Sequence, residues 1–368
     1  MNRTLKTVLI VVLVILTASS GALFLVAFSR PGTAYDPARI KIEVDVHTRN
    51  ELLTSAYKMY GDHSQNMWVA KTIIRNNGSI PVHDFTISYK LGDFTDWTSG
   101  EYYQEIRPGQ TVRDYCWPAL DADRVRQITT RTPAELRVRY TYRGLDREME
   151  EFKQVFLLGR NDFVFSSLDK KDQITFADMY DNYRFIASFV TPNEETTKQF
   201  ANRVGSGLET AISDEDALEA FRRSFLLLRE HGVRYIMEPD AFWAGSAAQY
   251  VQYPMETIDR RSGTCLDLAI CISALMEAVG IRSYVAIIPG HAVPMIELPG
   301  SGDLYAIEST FIDQEYALTR FPGLTGPEVT PDECIDVAAE AVNDAESEGT
   351  RLVIDIRYWW SAGVVPPW

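Results

Sequence analysis

The sequence predicts an α+β protein in three parts. An apolar N-terminal helix comes first, then an antiparallel β-sandwich, then a domain in which helices stand apart from an antiparallel sheet. Three observations predict this. Thr7 to Ser29 runs without a charge. Residues 40 to 158 carry short strand-like runs separated by turn residues. From about residue 160 the apolar period lengthens to that of helices, and strand-like runs return between the later ones. The parts are 1–34, 35–160 and 161–368, a size that fits two ordinary domains after the leading segment.

The leading segment justifies itself by length. A helix over Thr7–Ser29 is about 35 Å long, enough to cross a hydrocarbon core of about 30 Å. Small residues at Ala18–Ala22 also fit a signal-peptidase site, but LFLVAF continues the apolar run past them, which favours an uncleaved signal-anchor. Arg3 and Lys6 precede the span and Arg30 follows it. The short basic N-terminus favours a cytoplasmic N-terminus, with the main domains extracytoplasmic in a single-pass membrane protein. The net charge of −15 excludes a nucleic-acid footprint and disfavours anionic headgroups.

In the second part, IKIEVDVH (40–47) alternates apolar and polar residues as a half-buried strand does. Further strands are predicted at 67–75, 84–91, 110–117, 135–143 and 150–158. Asn76-Asn77-Gly78 and Arg107-Pro108-Gly109 mark turns between them. His47, His63 and His83 lack metal-ligand spacing, and no metal or cofactor is expected. Asn77-Gly78-Ser79 fits a glycosylation acceptor. The run NNGSIPVHDFTISYKL resembles immunoglobulin-like modules that sit beside membrane anchors.

In the third part, Thr191 and Pro192 predict a helix over 191–204. Ser213 and Asp216 open a second, reaching Glu230. Cys265 opens a third, and TPDECIDVAAEAV (330–342) a fourth with one apolar face. Strands are predicted at SYVAIIP, AVPMIEL and DLYAIEST, and a last one at RLVIDIRYWW (351–360). Of the four cysteines, Cys265 and Cys271 lie about 9 Å apart along one helix, too far for a disulfide. Cys271 and Cys334 read as core thiols, and a Cys116–Cys334 bridge stays open.

The chemistry gathers at RRSGTCLDLAICISALMEAVGIRS (260–283). A thiol at a helix N-terminus meets unpaired backbone N–H groups, which favour the thiolate. Asp267 complements the same helix end. A cysteine nucleophile needs a base, and the base an orienting partner. His231 reads as a helix C-cap. His291, after a Pro-Gly turn, is the better base. If the following hairpin turns at Pro299-Gly300, His291 pairs with Glu308. If the loop takes in Pro299 to Gly302, His291 pairs with Thr310, and Glu308 is its diagonal neighbour. Both registers put His291 and Glu308 on one face.

This order of residues resembles the transglutaminase-like superfamily, whose core is related to papain-like cysteine proteases. The resemblance is carried by YPMETIDRRSGTCLDLAICISALMEAVGIRSYVA, GHAVPMIEL and LYAIEST, and covers residues 190 to 312. The tails TPDECIDVA and WWSAGVVPPW look similar to those of membrane-anchored archaeal and bacterial members. It implies a papain-like catalytic domain with Cys265 as nucleophile, His291 as general base and acid, and Glu308 as orienter. Three positions depart from the pattern. Thr264 and Glu308 stand where Asp is usual, and Val293-Pro294 replaces an aromatic, so an edge or bulge is expected at Pro294.

The implied mechanism is acyl transfer through a thioester, with a protein or peptide as substrate. The backbone N–H of Cys265 supplies one oxyanion donor. A second comes from Gln249, Tyr250, Gln252 or Tyr253. Trp243 fits a substrate-groove wall and a core position equally. The expected activity is that of a cysteine protease or amidase-like hydrolase. The alternatives are amine transfer by the same triad, and an inactive module that binds peptide or glycan.

Overall fold

The computed structural model describes residues 35–61, 67–208, 212–237, 248–320 and 328–367. The leading apolar segment lies outside them, as do His63 and Trp243. Among the described residues no helix is long and apolar enough to cross a membrane. The described chain is a mixed α+β structure with several sheets, mostly antiparallel.

The first half is built from β1 (Ile42–Thr48), β2 (Glu51–Leu52), β3 (Ala70–Asn76), β4 (Val82–Leu91), β5 (Glu101–Ile106), β6 (Thr111–Cys116), β7 (Thr132–Thr141) and β8 (Met149–Leu157). They form a three-stranded sheet, β1-β3-β6, and a five-stranded one, β2-β8-β7-β4-β5. Alternation decides the faces. Ala134, Leu136, Val138 and Tyr140 of β7 point inward, while Glu135 and Arg137 face water. A polar pin joins the sheets. Asp114 on β6 accepts from Tyr89 Oη of β4 at 2.6 Å and from Tyr103 Oη of β5 at 2.7 Å. The six predicted strands all form, within a few residues of their expected ends. β5 was not predicted, because EYYQEI is exposed at most positions and shows no burial period.

The second half opens with β9 (Asp162–Phe163) and then turns helical. A short α1 (Ala122–Arg126) precedes it in the chain. Helix α2 spans Glu195–Val204, three residues later than expected. Thr191 and Pro192 form a turn first, and the Glu194 side chain caps the helix by accepting from Thr197 N. Helix α3 (Asp214–Glu230) starts at the expected Ser213–Asp216 capping box and ends at His231. Then come β10 (Arg234–Tyr235), β11 (Gln249–Tyr250), α4 (Pro254–Arg260), β12 (Ser262–Gly263) and α5 (Cys265–Ala278). The second-half sheet is β15-β14-β13-β16, made of β13 (Ser283–Ile288), β14 (His291–Glu297), β15 (Leu304–Ala306) and β16 (Leu352–Asp355).

Between β15 and β16 lie α6 (Gln314–Arg320) and α7 (Pro331–Ser347). RLVIDIRYWW is not strand throughout. Asp355 accepts from Tyr358 N and starts α8 (Ile356–Ser361). Pro294 is not at a sheet edge either, since β14 is an interior strand. Its carbonyl accepts from Ile307 N, so its missing N–H faces the side where pairing with β15 has ended at Met295↔Ala306.

Helix α5 is buried nearly all round, with Leu266, Leu268, Ile270, Ile272, Leu275 and Met276 at 3% exposure or less. Each such side chain contributes about 1.5–3 kcal/mol of burial, so the helix that starts at Cys265 is among the firmest elements. One buried cluster joins its Leu266 and Ile270 to the strands of the first half. The chain end crosses the same core. Trp360 Nε1 donates to Ala187 O, Val364 is fully buried, and the Pro366 and Pro367 carbonyls accept from Lys58 Nζ and Arg126 Nε. All four cysteines are free, so the Cys116–Cys334 bridge does not form.

Candidate active site

The turn before Cys265 is shaped by local rules. Helix α4 ends at Arg261 in the left-handed region (φ 53°). Ser262 and Gly263 then pair with Arg234 and Tyr235. Gly263 is required, because a Cβ there would lie 2.8 Å from Asp267 Cβ. Thr264 caps α5: its Oγ1 accepts from Asp267 N at 3.3 Å, and Asp267 Oδ2 accepts from Thr264 N at 2.9 Å. Cys265 is therefore the first helical residue, half-buried, where the backbone N–H groups are unpaired.

The imidazole comes from the next hairpin. Pro289-Gly290 turns the chain, with Gly290 at φ +70°, and His291 opens β14 opposite Ile288. The register Met295↔Ala306, Ile296↔Tyr305 and Glu297↔Leu304 is the second of the two expected. Strand β15 stops at Ala306, so Glu308 sits just past the ladder and caps a short 3-10 turn (Ser309–Ile312). It still faces His291. Glu308 Oε2 lies 2.8 Å from His291 Nε2, and Oε1 accepts from Thr310 Oγ1 at 2.6 Å and Thr310 N at 3.0 Å. The Cys265 thiol lies near enough to the same imidazole to raise its pKa. With Nε2 taken by Glu308, Nδ1 is left to face the sulfur. The three expected residues thus come together at one place.

Burial works against charge at both ends of the His–Glu pair, and the partners outweigh it. Burial lowers the His291 pKa, but the Glu308 charge and bonds to Cys265 and Glu308 raise it overall, to about 10. Burial raises the Glu308 carboxyl, but His291 and the two Thr310 bonds hold it below the usual carboxylate range. Burial pushes Cys116, Cys271 and Cys334 well up, leaving them inert at neutral pH.

The oxyanion candidates separate. Tyr253 is fully buried, donates its hydroxyl to Arg160 O and stacks on Phe189, so it cannot face a substrate. Tyr250 is exposed, and its hydroxyl accepts from Arg260. Gln249 pairs with Phe163 of β9. Gln252 is 4% exposed, and its Oε1 has no hydrogen-bond partner. Such a group costs about 1–3 kcal/mol. Its backbone N–H donates to Asp267 Oδ1 at 2.7 Å. Asp267 was expected to serve the helix dipole alone, yet it is buried and joins two chain segments. Burial raises its carboxyl to about 6, against the N–H bonds from Gln252 and Thr264.

Residues that the sequence reading missed also lie near the site. Burial raises the hydroxyls of Tyr180 and Tyr316, and Cys265 adds to it in both. Tyr235 packs on Tyr316 at 4.6 Å between ring centroids. No local signal marks them, since each arrives from a distant segment. Among the described residues no group of His, Cys, Asp and Glu could hold a metal.

Neither a scan against protein-family models nor a search of curated proteins gives a match. Among solved structures, the chain is similar to a FixG-related protein from Vibrio parahaemolyticus at 14% identity and a TM-score of 0.23, over 33% of this chain and 98% of that one. A protein from Parabacteroides distasonis, described only provisionally as a protease, shares 9% identity at a TM-score of 0.22 over 66% of each chain. A family 76 glycoside hydrolase from a bovine Bacteroides thetaiotaomicron strain shares 10% at 0.16, over 84% of this chain and 63% of that one. Likenesses this low assign neither a fold family nor an activity.

Proposed function

We propose that this chain is a membrane-anchored thiol hydrolase of the transglutaminase-like superfamily, cleaving peptide or carboxamide bonds outside the cytoplasm. In this reading residues 161–368 are the papain-related catalytic domain and 35–160 an immunoglobulin-like sandwich. Residues 1–34 are the cytoplasmic stub, transmembrane anchor and linker. The observation that carries it is the His291–Glu308 bond of 2.8 Å with the Cys265 thiol near the same ring.

The roles follow from that arrangement. His291 holds the thiol proton, and the Cys265 sulfur attacks the carbonyl carbon. The tetrahedral oxyanion is met by N–H groups at the start of α5. His291 protonates the departing amine as the C–N bond breaks, leaving a thioester. Water, deprotonated by His291, then attacks it, and the acid leaves as the thiol re-forms. Glu308 holds the ring's orientation and its charge. These steps use only protein side chains and water.

The test offers the purified full-length protein a mixed fluorogenic peptide library together with a fluorescent primary amine. Cleavage that vanishes in Cys265→Ala supports the hydrolase. Amine incorporation without cleavage replaces it with amine transfer. Cleavage that persists in Cys265→Ala rejects the triad.

A further inference from the structure

Residues 166–181 form an Ω-loop whose ends are tied together. Asn182 N donates to Phe165 O at 3.0 Å, and Asn182 Nδ2 donates to Val164 O at 2.9 Å and to Ser167 Oγ at 2.8 Å. The loop has its own core, with Tyr180 packed on Phe165 and Phe176 at 5.4 and 4.9 Å between ring centroids. Asp178 Oδ2 fixes the far side by accepting from Ile174 N at 3.0 Å and Thr175 N at 2.7 Å. Such a core can hold aliphatic side chains as well, yet Ile174 is 85% exposed, Met179 43% and Leu168 38%.

The loop borders the thiol. It leaves β9, which pairs with Gln249–Tyr250 of β11, and two residues further on Gln252 N donates to Asp267 in the first turn of α5. Tyr180 lies near enough to Cys265 for that group to act on its hydroxyl. A second apolar edge reaches the same turn. Ile236 N donates to Gly263 O at 2.9 Å, two residues before the nucleophile, and Ile236 and Met237 are 44% and 73% exposed. Single exposed apolar residues need no explanation, but five of them on two segments beside one reactive turn mark a binding surface. Charge does not compete for it. Lys170 and Lys171 are matched by Asp169 and Asp172, and Lys171 pairs with Asp169 at 3.3 Å. Anionic headgroups therefore gain no net attraction to this loop.

Resting on the acyl-transfer reading, we infer that the 166–181 loop and the Ile236–Met237 edge are the substrate-recognition surface of the Cys265 site, and that they select polypeptide with aliphatic or aromatic side chains beside the scissile bond over polar or charged sequence. Ile174 and Met179 are the specificity-determining contacts. Apolar side chains of the substrate leave water against them, whereas a charged one would be desolvated with no partner. The tied base and inner core keep the surface in shape, so little ordering is needed on binding.

The test gives the full-length protein two substrates. One is a mixed peptide library, with cut sites and rates read by mass spectrometry. The other is p-nitrophenyl acetate, whose small acetyl group passes to the Cys265 sulfur as p-nitrophenolate leaves with the bonding electron pair. Wild-type cuts should lie beside apolar residues. In the double variant Ile174→Ser and Met179→Ser, cutting at those sites should slow by about 10-fold relative to the acetate burst, the scale of a lost apolar contact. The double variant Ile174→Leu and Met179→Leu should keep the wild-type profile. The inference is overturned by wild-type cuts beside polar or charged residues, by an unchanged profile in the serine variant, by equal loss of cutting and burst, or by a burst with no peptide cut at all. A wild type with no burst, whose Cys265 is alkylated by iodoacetamide no faster than Cys271, instead refutes the acyl-transfer reading beneath it.

Discussion

Glu308→Gln keeps the side chain's size and removes its charge. In the structure the carboxylate accepts from His291 Nε2, Thr310 Oγ1 and Thr310 N. A glutamine amide offers one acceptor oxygen instead of two. Whichever way it turns, its NH2 meets either the imidazole N–H or the Thr310 N–H. The loss of a charged hydrogen bond costs about 1.5–3 kcal/mol. It stays below the roughly 3–5 kcal/mol of a stranded buried charge, because the ring can shed its proton.

The pH dependence has a definite sign. His291 is raised in the folded state, so its stabilisation is whole below about 6.5, the unfolded value, and is lost as pH rises through about 10. Glu308 is depressed, so its contribution is present above about 4.3 and is lost as pH falls below that. Urea unfolding of the wild type should therefore weaken above pH 6.5, by up to about 1.4 kcal/mol per pH unit for one proton. Glu308→Gln should flatten that limb and slow peptide cleavage by about 10²–10⁴-fold. In a Cys265→Ala background the imidazole can be followed by NMR without the sulfur. There His291 should still titrate above 6.5, and Glu308→Gln should move it below, because burial then acts alone. A ring that keeps its high titration without the carboxylate would refute the assignment.

Three further outcomes are expected. Gly263→Ala forces a methyl to within 2.8 Å of Asp267 Cβ and 3.3 Å of Thr257 Cγ2; thermal melts should show a loss of about 1–3 kcal/mol and slower alkylation of Cys265. Tyr89→Phe strips Asp114 of a 2.6 Å donor between the two sheets, and chemical unfolding should register about 1–3 kcal/mol. Because all four cysteines are free, a reductant should leave the melting temperature unchanged, and mass mapping after brief native alkylation should find the label on Cys265 ahead of the three buried thiols.

Local rules made part of this molecule legible. Ser213–Asp216 announces a helix start because the capping atoms are three residues apart. The face shared by His291 and Glu308 was readable because a strand's side chains alternate with period two. Its outcome survived the end of β15 at Ala306, where Glu308 left the ladder. What stayed hidden depends on distant contacts. Pro192 suits a helix start but is used in a turn, and Glu194 caps the helix instead. Trp359 and Trp360 suit a strand, yet Asp355 opens a helix and Trp360 finds Ala187. Asp267 looked like an ordinary first-turn acid because its second bond reaches back to Gln252.

The terminal prolines bear on the order of events during synthesis. Pro366 and Pro367 meet Lys58 and Arg126 across most of the chain, so the 3-10 turn at Thr54–Gly61 and helix α1 lack these partners until translation reaches those codons. Contacts of such long range slow folding. A nascent chain halted before residue 360 would keep an open seam beside Ala187 and Tyr57 and be prone to proteolysis there. Trimming a few residues from the far end should loosen the half that emerged first.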